Sequence, residues 1–175
     1  MGDVLAPGGE NMKRTLAIAV IAGLILFNAV SAFAVSVGEL APDFQGETLA
    51  GEEFRLSDYK GQPILLKIGT TWCPSCKTQG KAIDSLHPYL EEKGVRFVDV
   101  FIDESKSSVA KYFAKGGYHK PAAIVLDEGA AHRAYNVYVI PRLLLIGSDF
   151  RVVRDGDPLP AGKLKRLIEK MLQGD

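Results

Sequence analysis

The stretch of sequence that decides the fold is PILLKIGTTWCPSCK, residues 63–77. Its first part, residues 63–68, is apolar apart from Lys67 and predicts a buried strand. Apolar residues then recur at helical spacing, so Cys73 and Cys76 fall between a strand end and a helix start. A thiol at a helix N-terminus meets unpaired N–H groups and the helix dipole, and both favour the thiolate.

This cysteine pair has two chemical interpretations. Two cysteines are too few for a disulfide-braced scaffold or a four-cysteine zinc site, and a bridge between them would close too small a loop to stabilise a fold. Because the pair lies between the end of an apolar strand and the start of a helix, redox chemistry is our interpretation. The alternative is a copper or zinc site, which needs a third ligand such as His119 or His132 from distant parts of the sequence.

The composition is that of an ordinary globular protein, with 47% apolar and 24% charged residues among 175. This excludes a wholly disordered or collagen-like chain, and the length favours a single folded domain. Basic and acidic residues balance at 21 each, so no strong overall field attracts nucleic acid. We accordingly expect no nucleic-acid partner.

Residues 1–34 have the sequence features of a targeting segment. Lys13 and Arg14 precede a long apolar run, which ends at Ala32-Phe33-Ala34 with small residues at the spacing of a secretory cleavage site. The prediction is an N-terminal extension plus a signal peptide over residues 1–34, cleaved after Ala34. The alternative is an uncleaved membrane anchor, since the run is long enough to span a bilayer. Either interpretation places residues 35–175 in the periplasm or another extracytoplasmic space.

Strands and helices alternate along residues 35–175, which we predict to form one domain. Strands are predicted at 44–49, 53–56, 63–68, 95–102, 121–126, 142–146 and 150–153. One helix is predicted from Cys76 to Leu90 with a bend at Pro88, and three more end near residues 116, 135 and 172. This order indicates an α/β fold, with a mixed central sheet flanked by helices.

Several segments resemble one known family. The six residues Trp72-Cys73-Pro74-Ser75-Cys76-Lys77 resemble the thioredoxin active-site motif. The flanking segments resemble the TlpA/ResA/CcmG group of extracytoplasmic thioredoxin-like proteins, and they are residues 38–44, 56–61 and 135–141. The resemblance covers residues 36–172. It implies a thioredoxin-like fold with an N-terminal β-hairpin and a strand–helix insertion, at about residues 104–126.

The resemblance also implies roles for individual residues in a thiol-disulfide oxidoreductase. Cys73 would attack a client disulfide, and Cys76 would resolve the mixed disulfide. Their redox-active disulfide would be the only cofactor, with no metal. The residues expected to support the dithiol or to bind substrate are Trp72, Pro74, Ile140 and Pro141. We expect a cis peptide bond before Pro141. Trp72 is expected to cover one side of the dithiol, to be a core aromatic, or to be both.

Two positions depart from the family pattern. Lys67 stands where thioredoxin keeps a buried acidic residue, so it either tunes a thiol pKa or extends to the surface. Gln79 stands where many cytochrome-maturation members carry a glutamate, and an amide cannot act as an acid or base. Asp103 and Glu104 are candidate substitutes, but we expect them to be solvated loop charges.

The expected activity is reduction of disulfides in client proteins outside the cytoplasm, including cytochrome c maturation. Such a reductant needs a membrane thiol-disulfide electron donor. The alternatives are a copper or zinc metallochaperone and a thiol peroxidase. Thr70 and Cys73 fit the Thr-x-x-Cys of peroxiredoxins, but Leu66 stands where their motif has proline.

Overall fold

The structure is a computed structural model that describes residues 35–116 and 121–174. The predicted signal peptide or anchor at residues 1–34 lies outside the described residues, as does His119. In the part of the chain that is described, no helix has the length and apolar character needed to cross a membrane.

The described residues form a single mixed sheet with helices on both faces. The strands are β1 (Gln45–Thr48), β2 (Glu53–Arg55), β3 (Ile64–Gly69), β4 (Arg96–Ile102), β5 (Ala123–Asp127), β6 (Arg142–Ile146) and β7 (Val152–Gly156). The helices are α1 (Pro74–Asp84), α2 (His87–Glu92), α3 (Lys106–Ala114), α4 (Ala130–Ala134) and α5 (Ala161–Gly174), with a 3-10 turn at Leu56–Tyr59. The predicted α/β class with a mixed central sheet is confirmed.

The strands lie in the order β2-β1-β5-β4-β3-β6-β7. Strands β3, β4 and β5 run parallel, and the remaining pairings are antiparallel. The predicted strand–helix insertion supplies α3 and β5. Strand β5 lies between β4 and the N-terminal hairpin, so the insertion joins that hairpin to the centre of the sheet.

The two faces of the sheet bury separate apolar clusters, because side chains alternate along each strand. On one face, Ile64, Leu66 and Ile68 of β3 pack with Tyr135 from the end of α4. On the other face, Leu65 packs with residues of α1, α2 and α5. Lys67 and Gly69 follow Leu65 at two-residue spacing, so they share the face that α1 covers.

Most strand ends differ from the predictions by one or two residues, and two of the differences from the predicted boundaries have a clear local cause. The predicted bent helix is two helices, because α1 ends at Asp84 and Pro88 lies in the first turn of α2. Proline has no N–H to donate to the carbonyl four residues earlier, and its ring clashes with that carbonyl, here of Asp84. Strand β7 begins at Val152 rather than at Phe150, since Phe150 occupies the turn with φ of +66°.

Candidate active site

The site is built where β3 ends and α1 begins. Cys73 is the N-cap of α1, with φ of −73° and ψ of 120°, and Pro74 lies in the first helical turn, as predicted. The Cys73 sulfur accepts the backbone N–H of Cys76 at 3.3 Å and lies 3.2 Å from the Ser75 hydroxyl oxygen. The first thiol therefore receives one of the N–H groups that a helix start leaves without a helical partner.

The pKa values of the two thiols are shifted in opposite directions. Both are free and buried, with Cys73 6% exposed and Cys76 1% exposed. Burial raises the pKa of Cys73, but the hydrogen bonds from Cys76 and Ser75 together outweigh burial and hold the pKa below its ordinary value. Burial raises the pKa of Cys76 to about 12. Cys73 is thus the more acidic thiol of the pair, and Cys76 is the less acidic one.

Gly69, the last residue of β3, and Pro141, which directly precedes β6, lie close to the dithiol. A Cβ at Gly69 would lie 2.8 Å from the Cys76 sulfur and 3.8 Å from the Cβ of Pro141. The site tolerates no side chain at this point, because real Cβ atoms do not approach heavy atoms that closely. The peptide bond between Ile140 and Pro141 is cis, which confirms that prediction.

Lys67 does not extend to the surface, so that alternative is wrong. It is 1% exposed, and its ammonium group donates to the carboxylate of Asp99, its register partner on β4. The ammonium nitrogen also lies 5.0 Å from the centre of the Phe101 ring. The Lys67 charge acts to lower the pKa of Cys76, against the larger effect of burial. Sequence analysis missed Asp99 entirely.

Glu104 is not the solvated loop charge that we expected. Its carboxylate is half-buried and accepts hydrogen bonds from the N–H of Thr71 at 2.6 Å and from the Thr71 hydroxyl at 2.5 Å. It therefore fixes the backbone two residues before Cys73. Asp103 is exposed, as expected.

Gln79 joins α1 to the segment that leads into α5. Its side chain is buried, and its carbonyl oxygen accepts the backbone N–H of Leu159 at 2.6 Å. Within the described residues, its amide nitrogen has no hydrogen-bond partner. At the position where many family members carry an acid, this chain has a glutamine that connects α1 to the segment before α5.

The large apolar side chains of Trp72 and of the loop before Pro141 are exposed. Trp72 is 67% exposed, so its interpretation as a core aromatic is wrong, and its covering of the dithiol stays a prediction. Tyr138 is 89% exposed and Val139 is 72% exposed, whereas Ile140 is half-buried. A contiguous patch of exposed apolar residues is a candidate surface for binding another molecule.

Among residues 35–116 and 121–174, no three histidine, cysteine, aspartate or glutamate side chains are close enough together to hold a metal ion. His132 lies on α4, where its backbone N–H donates to Asp127. The structure thus brings together Cys73, Cys76, Pro74 and Pro141, while Lys67 lies beneath them on the same face of the sheet.

Comparisons with known proteins agree with this geometry. A family model described as the AhpC/TSA family matches residues 37–155. A thiol-disulfide oxidoreductase ResA from Geobacillus kaustophilus is 38% identical over 120 residues, which are 68% of this chain and 68% of that protein. A ResA from Bacillus cereus is 26% identical over 166 residues, which are 91% of this chain and 93% of that protein.

Solved structures agree on the fold. The crystal structure of a thiol:disulfide interchange protein of the thioredoxin family from Chlorobium tepidum matches with a TM-score of 0.68 and 23% identity. The match covers 79% of this chain and 99% of that chain. The described domain therefore has the thioredoxin-like architecture almost from end to end.

Proposed function

This chain belongs to the AhpC/TSA family and is a thiol-disulfide oxidoreductase with a thioredoxin-like fold, and we propose that it reduces disulfide-bonded client proteins outside the cytoplasm. The observation that carries the proposal is the unequal pair of thiols at the start of α1. Cys73 has a lowered pKa, and Cys76 lies protonated one helical turn further on. Such a pair performs nucleophilic attack and resolution in sequence.

The reaction in the reducing direction has two exchange steps. The Cys73 thiolate attacks one sulfur of the client disulfide, so that a mixed disulfide forms, the client bond breaks, and the other client sulfur leaves as a thiolate. Cys76 then loses its proton and attacks the Cys73 sulfur. The Cys73–Cys76 disulfide forms, the mixed disulfide breaks, and the client's first sulfur leaves as a thiolate. Two electrons pass to the client, whose two thiolates take up protons.

We propose Lys67 as the residue that assists the second step. Burial raises the pKa of Cys76, and the positive charge of Lys67 on the same sheet face lowers it in part. Trp72, Ile140 and Pro141 would contact the client, because Trp72 is exposed and Pro141 adjoins the dithiol.

The proposal includes a partner and a location. Each turnover leaves the protein oxidised, so a membrane thiol-disulfide electron donor must reduce it again. Residues 1–34 carry the features of a signal peptide or anchor, which supports an extracytoplasmic, periplasmic location for residues 35–175. We further propose apocytochrome c as a client, since its Cys-x-x-Cys-His haem-attachment motif must be reduced before haem is attached.

The reduction potential of the full chain tests the direction of electron flow. It is measured by equilibration in glutathione or dithiothreitol buffers of known potential. We expect a value near or below about −250 mV, as for thioredoxin-like reductants. A value near about −120 mV would make the protein an oxidant and overturn the proposed direction. With no dithiol–disulfide transition at all, metal binding would replace redox exchange as the function.

Trapping variants test the roles of the two thiols. Cys76→Ser should accumulate mixed disulfides with clients, because the resolving thiol is gone, and non-reducing electrophoresis followed by mass spectrometry identifies the bound proteins. Cys73→Ser is the matched control and should trap nothing. Trapping through Cys76 in that control would reverse the assignment of the two roles.

A further inference from the structure

Arg142 opens β6 directly after Pro141, and its side chain is mostly withdrawn from solvent. Its Nε donates to Asp155 at 2.7 Å, and one terminal nitrogen donates to the other oxygen of the same carboxylate. This two-bond geometry fixes the plane of the guanidinium as well as its position. The hydrogen bond to Asp155 also raises the pKa of Arg142, so its charge is permanent.

The other terminal nitrogen of Arg142 binds the backbone at the end of α4. It donates to the carbonyl of Tyr135 and, at 2.9 Å, to the carbonyl of Asn136. Carbonyls at a helix end have no partner within the helix, and here the chain leaves through Asn136 with φ of +47°. Arg142 therefore satisfies these carbonyls and fixes the direction in which the loop leaves α4.

The loop that Arg142 holds carries an open stretch of backbone at residues 138–140. Within the described residues, none of these peptide groups takes part in a backbone hydrogen bond, and no side chain binds them. The side chains of Tyr138 and Val139 are exposed, and Pro141 next along the chain adjoins Cys76 through Gly69. Unpaired peptide groups at a surface can accept an extended segment of another chain as an added strand.

We propose that Arg142 is a positioning residue for client binding, which joins Asp155 to the carbonyls of Tyr135 and Asn136 and so holds residues 138–140 ready to pair with an extended client segment. The proposal rests on the proposed oxidoreductase function. Because the loop is already ordered before the client binds, binding does not carry the entropy cost of ordering it. Arg142 acts on this binding step, while the chemistry stays with the two thiols.

The test compares Arg142→Met with the wild-type chain on two disulfides. Each chain is reduced beforehand, freed of the reductant and mixed in excess with a trace of one disulfide, so that KM and kcat are the half-saturating concentration and the limiting rate of a single turnover. One substrate is a synthetic peptide with a disulfide and extended flanks, and the other is the small disulfide dithiobis(nitrobenzoate). We expect KM for the peptide to rise about three- to tenfold, the equivalent of about one backbone hydrogen bond, with kcat unchanged. The rate with the small disulfide should change by less than about twofold, because that substrate has no backbone to pair.

Arg154→Met is the matched control. Arg154 lies on the same β6–β7 hairpin and donates to the carbonyls of Leu143 and Asp157, without contacting the loop. Its loss should leave the peptide KM unchanged. An N-methylated copy of the peptide, which lacks the pairing N–H groups, sharpens the comparison. N-methylation should raise KM for the wild type and have little effect on Arg142→Met.

Two results with a folded Arg142→Met variant overturn the proposal. A wild-type peptide KM in Arg142→Met would mean that Arg142 positions nothing, and equal losses on both disulfides would make its role merely structural. If circular dichroism shows that Arg142→Met is unfolded, Asp155→Asn replaces it in the same assays. That variant weakens the hold on the guanidinium of Arg142, because it removes the carboxylate that binds it. A wild-type chain that reduces neither disulfide would instead overturn the proposed function itself.

Discussion

Lys67 and Asp99 stand opposite each other on the parallel strands β3 and β4, and their side chains form an ion pair that is closed off from solvent. The pair lies on the sheet face that α1 covers, beneath the dithiol. Removal of one partner from a buried pair leaves an uncompensated charge, whereas apolar replacement of both partners does not. The effect of the pair on stability can therefore be separated from its effect on Cys76.

Lys67→Met alone should lower the free energy of unfolding by about 3–5 kcal/mol, measured by urea denaturation, because the buried Asp99 carboxylate loses the cation that compensates its charge. The double variant Lys67→Met/Asp99→Leu should recover most of that loss. It should still resolve mixed disulfides more slowly than the wild type in stopped-flow assays, since the charge that lowers the pKa of Cys76 is absent. Resolution at the wild-type rate would show that Lys67 has no part in the second step.

The pH dependence of alkylation should report the lowered pKa of Cys73. Iodoacetamide reacts with the thiolate, so the rate rises with pH, and we expect its midpoint below the ordinary thiol value of about 8.5. Ser75→Ala should shift the midpoint upward, because it removes a hydrogen bond to the sulfur. Thr78→Ala is a suitable control, since its hydroxyl donates to the Pro74 carbonyl instead. A midpoint at or above the ordinary value would contradict the assignment.

Cys76 should make the reduced protein less stable at alkaline pH. The folded-state pKa of Cys76 is raised to about 12, so above about 8.5 the unfolded chain releases a proton that the folded chain keeps. The stabilising contribution is complete below about 8.5 and is lost as pH rises toward about 12. The measurement compares unfolding of Cys73→Ser with that of Cys73→Ser/Cys76→Ser. Parallel pH profiles for the two variants would contradict the prediction.

Gly69→Ala should disrupt the site, because its Cβ would lie 2.8 Å from the Cys76 sulfur. We expect a loss of about 1–3 kcal/mol in unfolding free energy and slower disulfide exchange, as backbone or sulfur must shift. Gly162→Ala on α5 is the control, since its Cβ would meet only the Arg166 side chain, at 3.9 Å. That change should be neutral or stabilising by up to about 1 kcal/mol. If Gly69→Ala carried out disulfide exchange at the wild-type rate, the structure would relieve the close contact without disturbing the dithiol.

Local sequence patterns predicted the centre of the site well. The apolar run before the motif specifies β3, and Pro74 after Cys73 suits a first helical turn, so the thiol at the helix start followed from adjacent residues. The hairpin at the N-terminus is confirmed for the same reason, whereas the α3–β5 insertion was expected from the family resemblance. Such features depend on residues that are close together in the chain.

The residues that tune the site were harder to predict, because their partners are distant in sequence. Asp99 meets Lys67 only through the register of two parallel strands, and nothing near either residue signals the pairing. Glu104 likewise binds Thr71 across two strand ends, where the base rate for acidic residues favours solvent. Gln79 binds the backbone of Leu159, 80 positions away. Contacts of this kind are set by tertiary packing and leave no local pattern.

The burial of both cysteines limits which disulfides the protein can attack. With Cys73 only 6% exposed, little of this residue is open to a partner. Exchange requires the attacked sulfur to lie in line with the thiolate, and a disulfide in a flexible segment can adopt that alignment more readily than one held inside a rigid domain. We therefore expect disulfides in unstructured segments to be reduced faster than those inside folded domains.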